Sequence, residues 1–503
     1  MYRIGLEKDR RDDLPEENKK LFLAAKDHLF VSPRDLKVLV VDGETASWMV
    51  MPQSEFYFLQ QLRKPKFMEQ FIKENEWVSP RQLMDLVEQF YSRGLVEIDA
   101  RCLPHCADMK KKPQESMSTF FIEVDTQREN ATSKVLTFET VQTLAERIFK
   151  DFPQEDFLVV LSCTDLGKQW DYLVKIIIHF NELATQHKTR PHYIISGGIS
   201  EVGKNELEYA VNQKVSFILR VSGLEELKTA DSGKIMELFS GEKANFTLDV
   251  RISDPDELNE ACQLLKGREI RLPRLNFAEY DNLLDSETGL LVPGRVEEFS
   301  RKFSEVFGQA IEHNKESKQV FLFSDLNFMI ESAIVNERRN MCMKSPCGAA
   351  LSIMAFDTDG FIYPCDTMIG IPQLALGNIN EIKTIPDAVL ASTVITGLRN
   401  RKVESLSKCS GCPWKHLCSC GCPTQAFKAF GNVLREDPFC RFYQAAYEEV
   451  LWRLAEEPAT MSLQDLLPPP AGRDEEPREM SPQQGECPVA ERGSGEPFSS
   501  RGF

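Results

Sequence analysis

The sequence predicts an α/β protein built on a partial (β/α)6 barrel, with a small α+β unit before it and a cysteine-rich unit after it. Three observations carry that expectation. Between residues 119 and 313, six apolar, β-branched runs alternate with helical patterns. Strands separated by helices of ten or more residues mean βαβ units and a parallel sheet. Nine of the 14 cysteines fall between Cys342 and Cys440. The opening segment of about 110 residues carries a hairpin signal followed by helical patterns.

Composition bounds the function. The chain has 503 residues and a formal net charge of −17, from 60 basic and 77 acidic side chains. At roughly 100–200 residues per domain, that length suggests about three domains. The acidic balance argues against nucleic acid or an anionic membrane surface as the main partner, because phosphate binding needs clustered Lys and Arg. No apolar stretch approaches the roughly 18 residues of a membrane-spanning helix. The N-terminus turns charged at Glu7-Lys-Asp-Arg-Arg11, where a secretory signal would need its apolar run. The expected location is cytoplasmic, where clustered cysteines point to metal more than to disulfides.

The first unit, 1–112, opens with β-rich runs at 36–41 and 47–51 around Asp42-Gly43, a strong hairpin turn signal. Helical patterns follow at 54–62, 67–73 and 79–93. Ser79-Pro80 suits the start of the last, since Ser caps and Pro fits the first turn. Gly94 ends it, and Leu95-Val-Glu-Ile98 reads as a closing strand. This is a winged-helix-like order of elements, with a generic α+β cap as the alternative. Arg81, Asp85, Glu88 and Arg93 on the third helix are not a basic recognition surface, so a protein or peptide partner is expected rather than DNA. The open sheet edge is expected near Leu36 to Met51, with the helix from Ser79 as the other wall of a peptide groove. Cys102, His105 and Cys106 stand in a linker and lack a fourth ligand nearby.

The barrel region, 113–335, has strand runs at 119–124, 157–161, 193–196, 216–221, 247–252 and 269–275. Helical patterns sit at 138–149, 168–187, 204–211, 232–239, 254–265 and 295–313. Near-continuous apolar strands suit a barrel buried on both faces. An open doubly wound sheet is the alternative.

The chemistry is concentrated in 336–456. Cys347 is followed by twelve residues, Gly360, four residues and Cys365; then come Cys409-x2-Cys412-x5-Cys418-x3-Cys422 and finally Cys440. Cys342 precedes this run. Eight thiolates make two sets of four, as two iron–sulfur clusters of the four-cysteine type require. Zinc also accepts tetrahedral thiolate, and spacing leaves both metals open.

These residues resemble the SPASM domain, the C-terminal extension of peptide-modifying radical SAM enzymes. The seven-cysteine pattern from Cys347 to Cys440 is matched without a gap, and Asp359-Gly-Phe-Ile-Tyr-Pro-Cys365 and Leu376-Gly-Asn-Ile379 resemble the family's hairpin and the run beyond it. The resemblance implies interleaved ligands. One [4Fe–4S] cluster would use Cys342, Cys347, Cys365 and Cys422, and the other Cys409, Cys412, Cys418 and Cys440. Cys420 is surplus to the pattern, either a competitor for the first set or a bystander thiol.

The same resemblance implies a radical-SAM-like barrel, whose first strand should lead into a Cys-x3-Cys-x2-Cys loop. Here Thr126, Arg128 and Asn130 resemble that loop, but the ligand positions fall on Glu129, Ser133 and Leu136. Leu136 cannot bind iron, and the other two are poor substitutes for thiolates. The place of the family's Gly-Gly-Glu-Pro turn reads Ser162-Cys-Thr-Asp-Leu-Gly167. The barrel is therefore expected to keep its fold without cleaving S-adenosylmethionine (AdoMet), and no catalytic residue is assigned. Residues 30–100 are similar in element order to the leader-binding winged helix that such enzymes carry or borrow. The tail, 457–503, holds eight prolines and 13 charged residues, and is expected to be disordered. Three functions stay open: a non-catalytic partner that presents a precursor peptide to an active radical SAM maturase, an iron–sulfur electron-transfer partner, and a purely structural metal site.

Overall fold

The computed structural model describes residues 14–100, 117–126, 134–153, 156–198, 208–209, 212–229, 246–267, 273–316, 321–334, 342 and 344–456. The N-terminal part carries strands β1 (Phe22–Ala25), β2 (Leu29–Arg34), β3 (Lys37–Asp42) and β4 (Trp48–Pro52). They are followed by helix α1 (Gln53–Gln61), β5 (Lys66–Phe67), α2 (Met68–Glu74), α3 (Pro80–Ser92) and β6 (Val96–Ile98). The Asp42-Gly43 turn and the three helices are as the sequence predicts. Ser79 caps α3 through a reciprocal pair: its Oγ accepts from the Gln82 N–H at 3.2 Å, and its own N–H donates to Gln82 Oε1 at 3.4 Å. Three strands escape sequence reading: β1, β2 and the two-residue β5. β1 joins β5 and β6 in a small sheet, and β2 makes the hairpin a three-stranded sheet in the order β2-β3-β4. Pro33 hides β2, since proline reads as a strand breaker.

That extra strand corrects the expected open edge. β3 is the central strand, with Val40 opposite both Val31 and Met49. β3 is also buried on both faces, and its alternate residues enter different cores. Val38 and Val40 pack with α1, α2 and α3, together with Met51. Leu39 and Val41 join the main core of the molecule, with Phe30, Trp48 and Val50 against it. Residues 1–110 taken alone would expose that second apolar face, so the unit depends on the rest of the chain for its burial.

The main sheet is built from β7 (Thr119–Glu123), β10 (Asp156–Ser162), β11 (Arg190–Gly198), β12 (Ser216–Val221), β13 (Phe246–Arg251) and β14 (Arg274–Asn276). The short strands β8 (Asp125–Thr126) and β9 (Lys134–Val135) form a separate ladder above β7. Each long strand pairs in parallel with the next one along the chain. The connecting helices include α4 (Phe138–Asp151), α5 (Leu166–His187), α6 (Leu224–Thr229) and α7 (Pro255–Gly267), and α8 (Arg295–Glu316) follows β14. This is the radical-SAM-like partial (β/α)6 barrel. The strand expected at 269–275 is described only from Pro273, and the helices expected at 204–211 and 232–239 fall largely outside the described residues.

One face of the barrel is apolar throughout: Phe120, Ile122, Val159, Leu161, Phe217, Leu219, Leu248 and Val250 are at most 1% exposed. The other face turns polar at the C-terminal strand ends. Glu123, Ser162 and Ser196 stand in one row, and Arg220, Asp249 and Arg274 in the next. The strands are therefore not apolar on both faces, as their composition suggested. The cysteine-rich part enters the same sheet through β15 (Ile353–Phe356), which pairs in parallel with β7, and the sheet ends in β16 (Phe361–Tyr363) and β17 (Gly377–Asn378). Further helices include α9 (Ser324–Ile334), α10 (Pro423–Phe430) and α11 (Cys440–Glu456).

Candidate metal centre

The cysteines sit on short, tightly held loops. Cys365 follows the β15–β16 hairpin, whose turn is tied by Asp357 Oδ1 accepting from the Asp359 and Phe361 N–H groups at 2.9 Å each. The Cys347 loop is clamped by Arg399, which donates to the Cys347 and Ala349 carbonyls at 3.1 and 2.7 Å. Cys409 lies in the helical turn Ser407–Ser410 and Cys418 ends the turn Lys415–Cys418. Cys422 precedes Pro423 at the start of α10, and Cys440 opens α11. No disulfide joins any two of the eleven described cysteines. Cys102, His105, Cys106 and Cys487 lie outside the described residues.

Neighbouring thiols raise one another's pKa values in two candidate groups. Cys365 is buried and its pKa is pushed well up, first by desolvation, then by Asp366 and by the nearby Cys342 and Cys347. Cys422 is pushed up to about 11, first by desolvation and then by Asp437, with Cys347 also in reach. Cys342 is exposed as a residue, but its thiol is raised by desolvation and then by Cys347, Cys422 and Asp366. In the second group, Cys418 is pushed well up by desolvation, then by Asp437, Cys440, Cys409 and Cys412. Cys440 rises to about 11, chiefly by desolvation, with Cys412 and Cys409 adding to it.

Four thiols crowded together out of water resist ionisation, because each thiolate would repel the next. A cationic metal centre removes that penalty, so the donor chemistry fits a thiolate-bound cluster at each group. Bound there, iron–sulfur clusters would supply electron storage or a rigid structural anchor. Among the described residues, no set of three or more His, Cys, Asp or Glu closes around a single ion.

Several flanking residues have no signature in the sequence. Gln444 Nε2 donates to Cys412 Sγ at 3.7 Å and to Cys440 Sγ at 3.6 Å. Asp437, 2% exposed, stands between the groups: its Oδ2 accepts from the Cys422 N–H and its Oδ1 from the Phe439 N–H, both at 2.7 Å. Burial lifts its carboxyl to about 6. Thr367 Oγ1 donates to Cys365 Sγ at 3.6 Å. An acid shortly before the last cysteine and an amide one helical turn after it were the only available hints.

The N-terminal sheet abuts the second group. A Cβ on Gly43 would lie 3.0 Å from Pro413 Cα, so only glycine lets the hairpin turn approach the Cys412 loop so closely. Phe30 meets Trp414 edge-on at 5.1 Å. Lys415 donates to Glu44 Oε1 at 2.6 Å and holds that carboxyl below its usual range. On α11, Arg34 pairs with Glu449 at 2.9 Å and stacks over Trp452 at 4.8 Å.

Three positions at the barrel mouth align with the cluster ligands that the resemblance implies. Glu129 and Ser133 lie outside the described residues, but Leu136 is 1% exposed in the main core, with its carbonyl accepting from Tyr172 Oη at 2.6 Å. The segment from Ser162 serves the scaffold. The Thr164 N–H and Oγ1 donate to Asp125 Oδ1 at 2.5 and 2.9 Å, and Asp165 caps α5 through Lys168 N–H at 3.0 Å.

The parallel sheet continues directly into the hairpin that precedes Cys365. The fold is shared with anSMEcpe solved with bound AdoMet, at a TM-score of 0.56 and 14% identity, covering 69% of this chain and 97% of that one. It is shared equally with native anSMEcpe with bound AdoMet and Cp18Cys peptide, at a TM-score of 0.53 and 14% identity, covering 68% and 98%. In sequence, the chain is 28% identical over 148 residues to an uncharacterized protein of Archaeoglobus fulgidus. That match spans 29% of this chain and 35% of the relative's length. No protein-family model matches the chain. Among the described residues, no helix is long and apolar enough to cross a membrane.

Proposed function

We propose that this chain is an iron–sulfur protein of ribosomal peptide maturation. It holds two [4Fe–4S] clusters, one on Cys342, Cys347, Cys365 and Cys422, the other on Cys409, Cys412, Cys418 and Cys440. It presents a precursor peptide to a separate, active radical SAM maturase and does not itself cleave AdoMet. The observation that carries this reading is the electrostatic reach among the thiols: Cys347 acts on Cys342, Cys365 and Cys422, while Cys409 and Cys412 act on Cys418 and Cys440. The implied domains are 1–112 for peptide recognition, 113–335 for the barrel and 336–456 for the clusters. An electron-transfer role is the second reading, favoured by the Gln444 amide on two sulfurs of one group, since hydrogen bonds to sulfur tune cluster potentials.

The peptide would add to the edge of β4. The Asp42 N–H donates to the Ser47 carbonyl at 2.8 Å and the Gln53 N–H to the Leu36 carbonyl at 3.0 Å. Ser47, Met49 and Met51 therefore face β3, and the N–H groups of Trp48 and Val50 turn outward. Pro52 ends the run of outward donors on β4, as Pro33 does on β2, so the peptide would pair with Trp48 and Val50. The test uses the full chain and a labelled synthetic copy of the leader from a short peptide gene beside its own. Binding is expected, and with AdoMet and dithionite no 5′-deoxyadenosine should form. Val50→Pro should weaken binding about fivefold, for one lost main-chain hydrogen bond of about 1 kcal/mol. Cleavage of AdoMet by the wild-type chain would end the pseudoenzyme reading; unchanged binding by a folded Val50→Pro chain would move the peptide off β4.

A further inference from the structure

Gln444 lies against two sulfurs of the second group, that of Cys409, Cys412, Cys418 and Cys440. It stands one turn into α11, four residues after Cys440. Side chains on a helix lean toward its N-terminus, so Gln444 reaches back over Cys440. Its Nε2 donates to Cys440 Sγ at 3.6 Å and to Cys412 Sγ at 3.7 Å. An amide nitrogen carries two hydrogens, enough for both bonds at once. Cys409 packs instead with Val403, Leu406 and Cys420 in a small apolar cluster. That contact sets Cys420 beside the second group and not the first. The first group has a different neighbourhood. At Cys365, Thr367 Oγ1 donates to the sulfur at 3.6 Å, but the thiol itself donates to Asp366 Oδ1 at 2.9 Å. A sulfur bound to iron has no proton to give, and the carboxylate would then face it as a like charge.

We propose that Gln444 holds the second cluster at a higher midpoint potential than the first, so that the first electron to enter this chain rests there. This rests on the two-cluster reading and extends it. Gln444 acts through the sulfurs and is a positioning residue, not a ligand. An added electron raises the negative charge on the cluster and on its cysteine sulfurs. N–H groups aimed at those sulfurs stabilise the reduced form more than the oxidised one. A carboxylate beside a sulfur does the reverse. With dithionite as the reductant, one electron leaves it and enters the second cluster, and no bond to iron forms or breaks.

The experiment is a reductive titration, read by electron paramagnetic resonance, of full-length chains reconstituted anaerobically with iron and sulfide. The chains are wild type, Cys365→Ala, Cys412→Ala, Gln444→Met and Thr367→Val. In the wild type, the first signal to develop should be the one that Cys365→Ala keeps and Cys412→Ala loses. Gln444→Met retains the length of the side chain and removes both donors. It should keep about eight irons. Its second cluster should be harder to reduce, by about tenfold in the reduced-to-oxidised ratio at a fixed potential, or ~59 mV for one electron. Thr367→Val should move only the first cluster. An unmoved second midpoint in an iron-replete Gln444→Met chain overturns the inference, as does a wild type whose first cluster is reduced earlier. If Gln444→Met loses iron, Gln444→Glu takes its place, with the same size and negative charge instead of donors. That chain should shift the same way and further, and no shift overturns the inference. If both variants lose the second cluster, Gln444 is a structural clamp and the inference falls. A wild-type chain that takes up no iron overturns the two-cluster reading itself, whereas a full complement of iron with unmoved potentials overturns this inference alone.

Discussion

Replacing Cys412 or Cys440 with Ala will remove about half of the iron and sulfide from the anaerobically prepared chain, from about eight irons to about four. In the proposed assignment both residues share a cluster with Cys409 and Cys418, whose thiols lie in electrostatic reach. A cluster bridged by its own sulfides is released as a unit when an anchoring thiolate is lost. Cys365→Ala should remove the other half, since Cys365 stands with Cys342 and Cys347. The wild-type chain should be brown, with broad visible absorption bleached by dithionite, because thiolate-to-iron charge transfer gives the colour and zinc gives none. A colourless chain with stoichiometric zinc would replace the iron–sulfur reading by a structural-metal one. Iron that falls equally in all variants would show that the thiols do not act as two groups.

Gly421→Ala should be the most damaging substitution outside the thiols. An added Cβ would lie 2.5 Å from Asp437 Cβ and 2.7 Å from its Oδ2, at a φ of +68°. Asp437 cannot step aside without releasing the Cys422 and Phe439 N–H groups. Left-handed strain and overpacking together come to about 3 kcal/mol or more. Since Asp437 also faces Cys418 and Cys440, both clusters should be lost and the melting temperature should fall. Gly411→Ala is the matched control: it neighbours Cys412, its φ is −94°, and a Cβ there meets nothing within 4 Å. If the two alanine variants melt alike and hold equal iron, the steric argument is wrong.

Much of the scaffold is legible in the sequence because its signals are local. The Ser79-Pro80 start of α3 needs only a capping oxygen and a fitting first turn, and the barrel strands need only apolar runs punctuated by helices. Where one local signal opposed the assembly, the reading failed. Pro33 argued against a strand, yet β2 tolerates it at a sheet edge, where a missing N–H leaves no ladder bond unmade. Apolar content also concealed the change of character along the barrel strands. Arg220, Asp249 and Arg274 are scattered in sequence and meet only because parallel register sets them side by side.

By itself, the sequence determined the α/β class, the order of the barrel strands, the caps and turns, and the loops on which the thiols ride. Those features depend on windows of a few residues, within which propensity, periodicity and turn chemistry act. The resemblance already implied which thiols share a set, and the tertiary structure alone decided what stands beside them. It put Cys420 against Cys409 and placed Gln444 on two sulfurs. It also pressed the hairpin turn onto the Cys412 loop and made β3 a strand shared by two cores. Such encounters are fixed by burial and strand register, which sum over the whole chain and leave no mark in any short stretch of it.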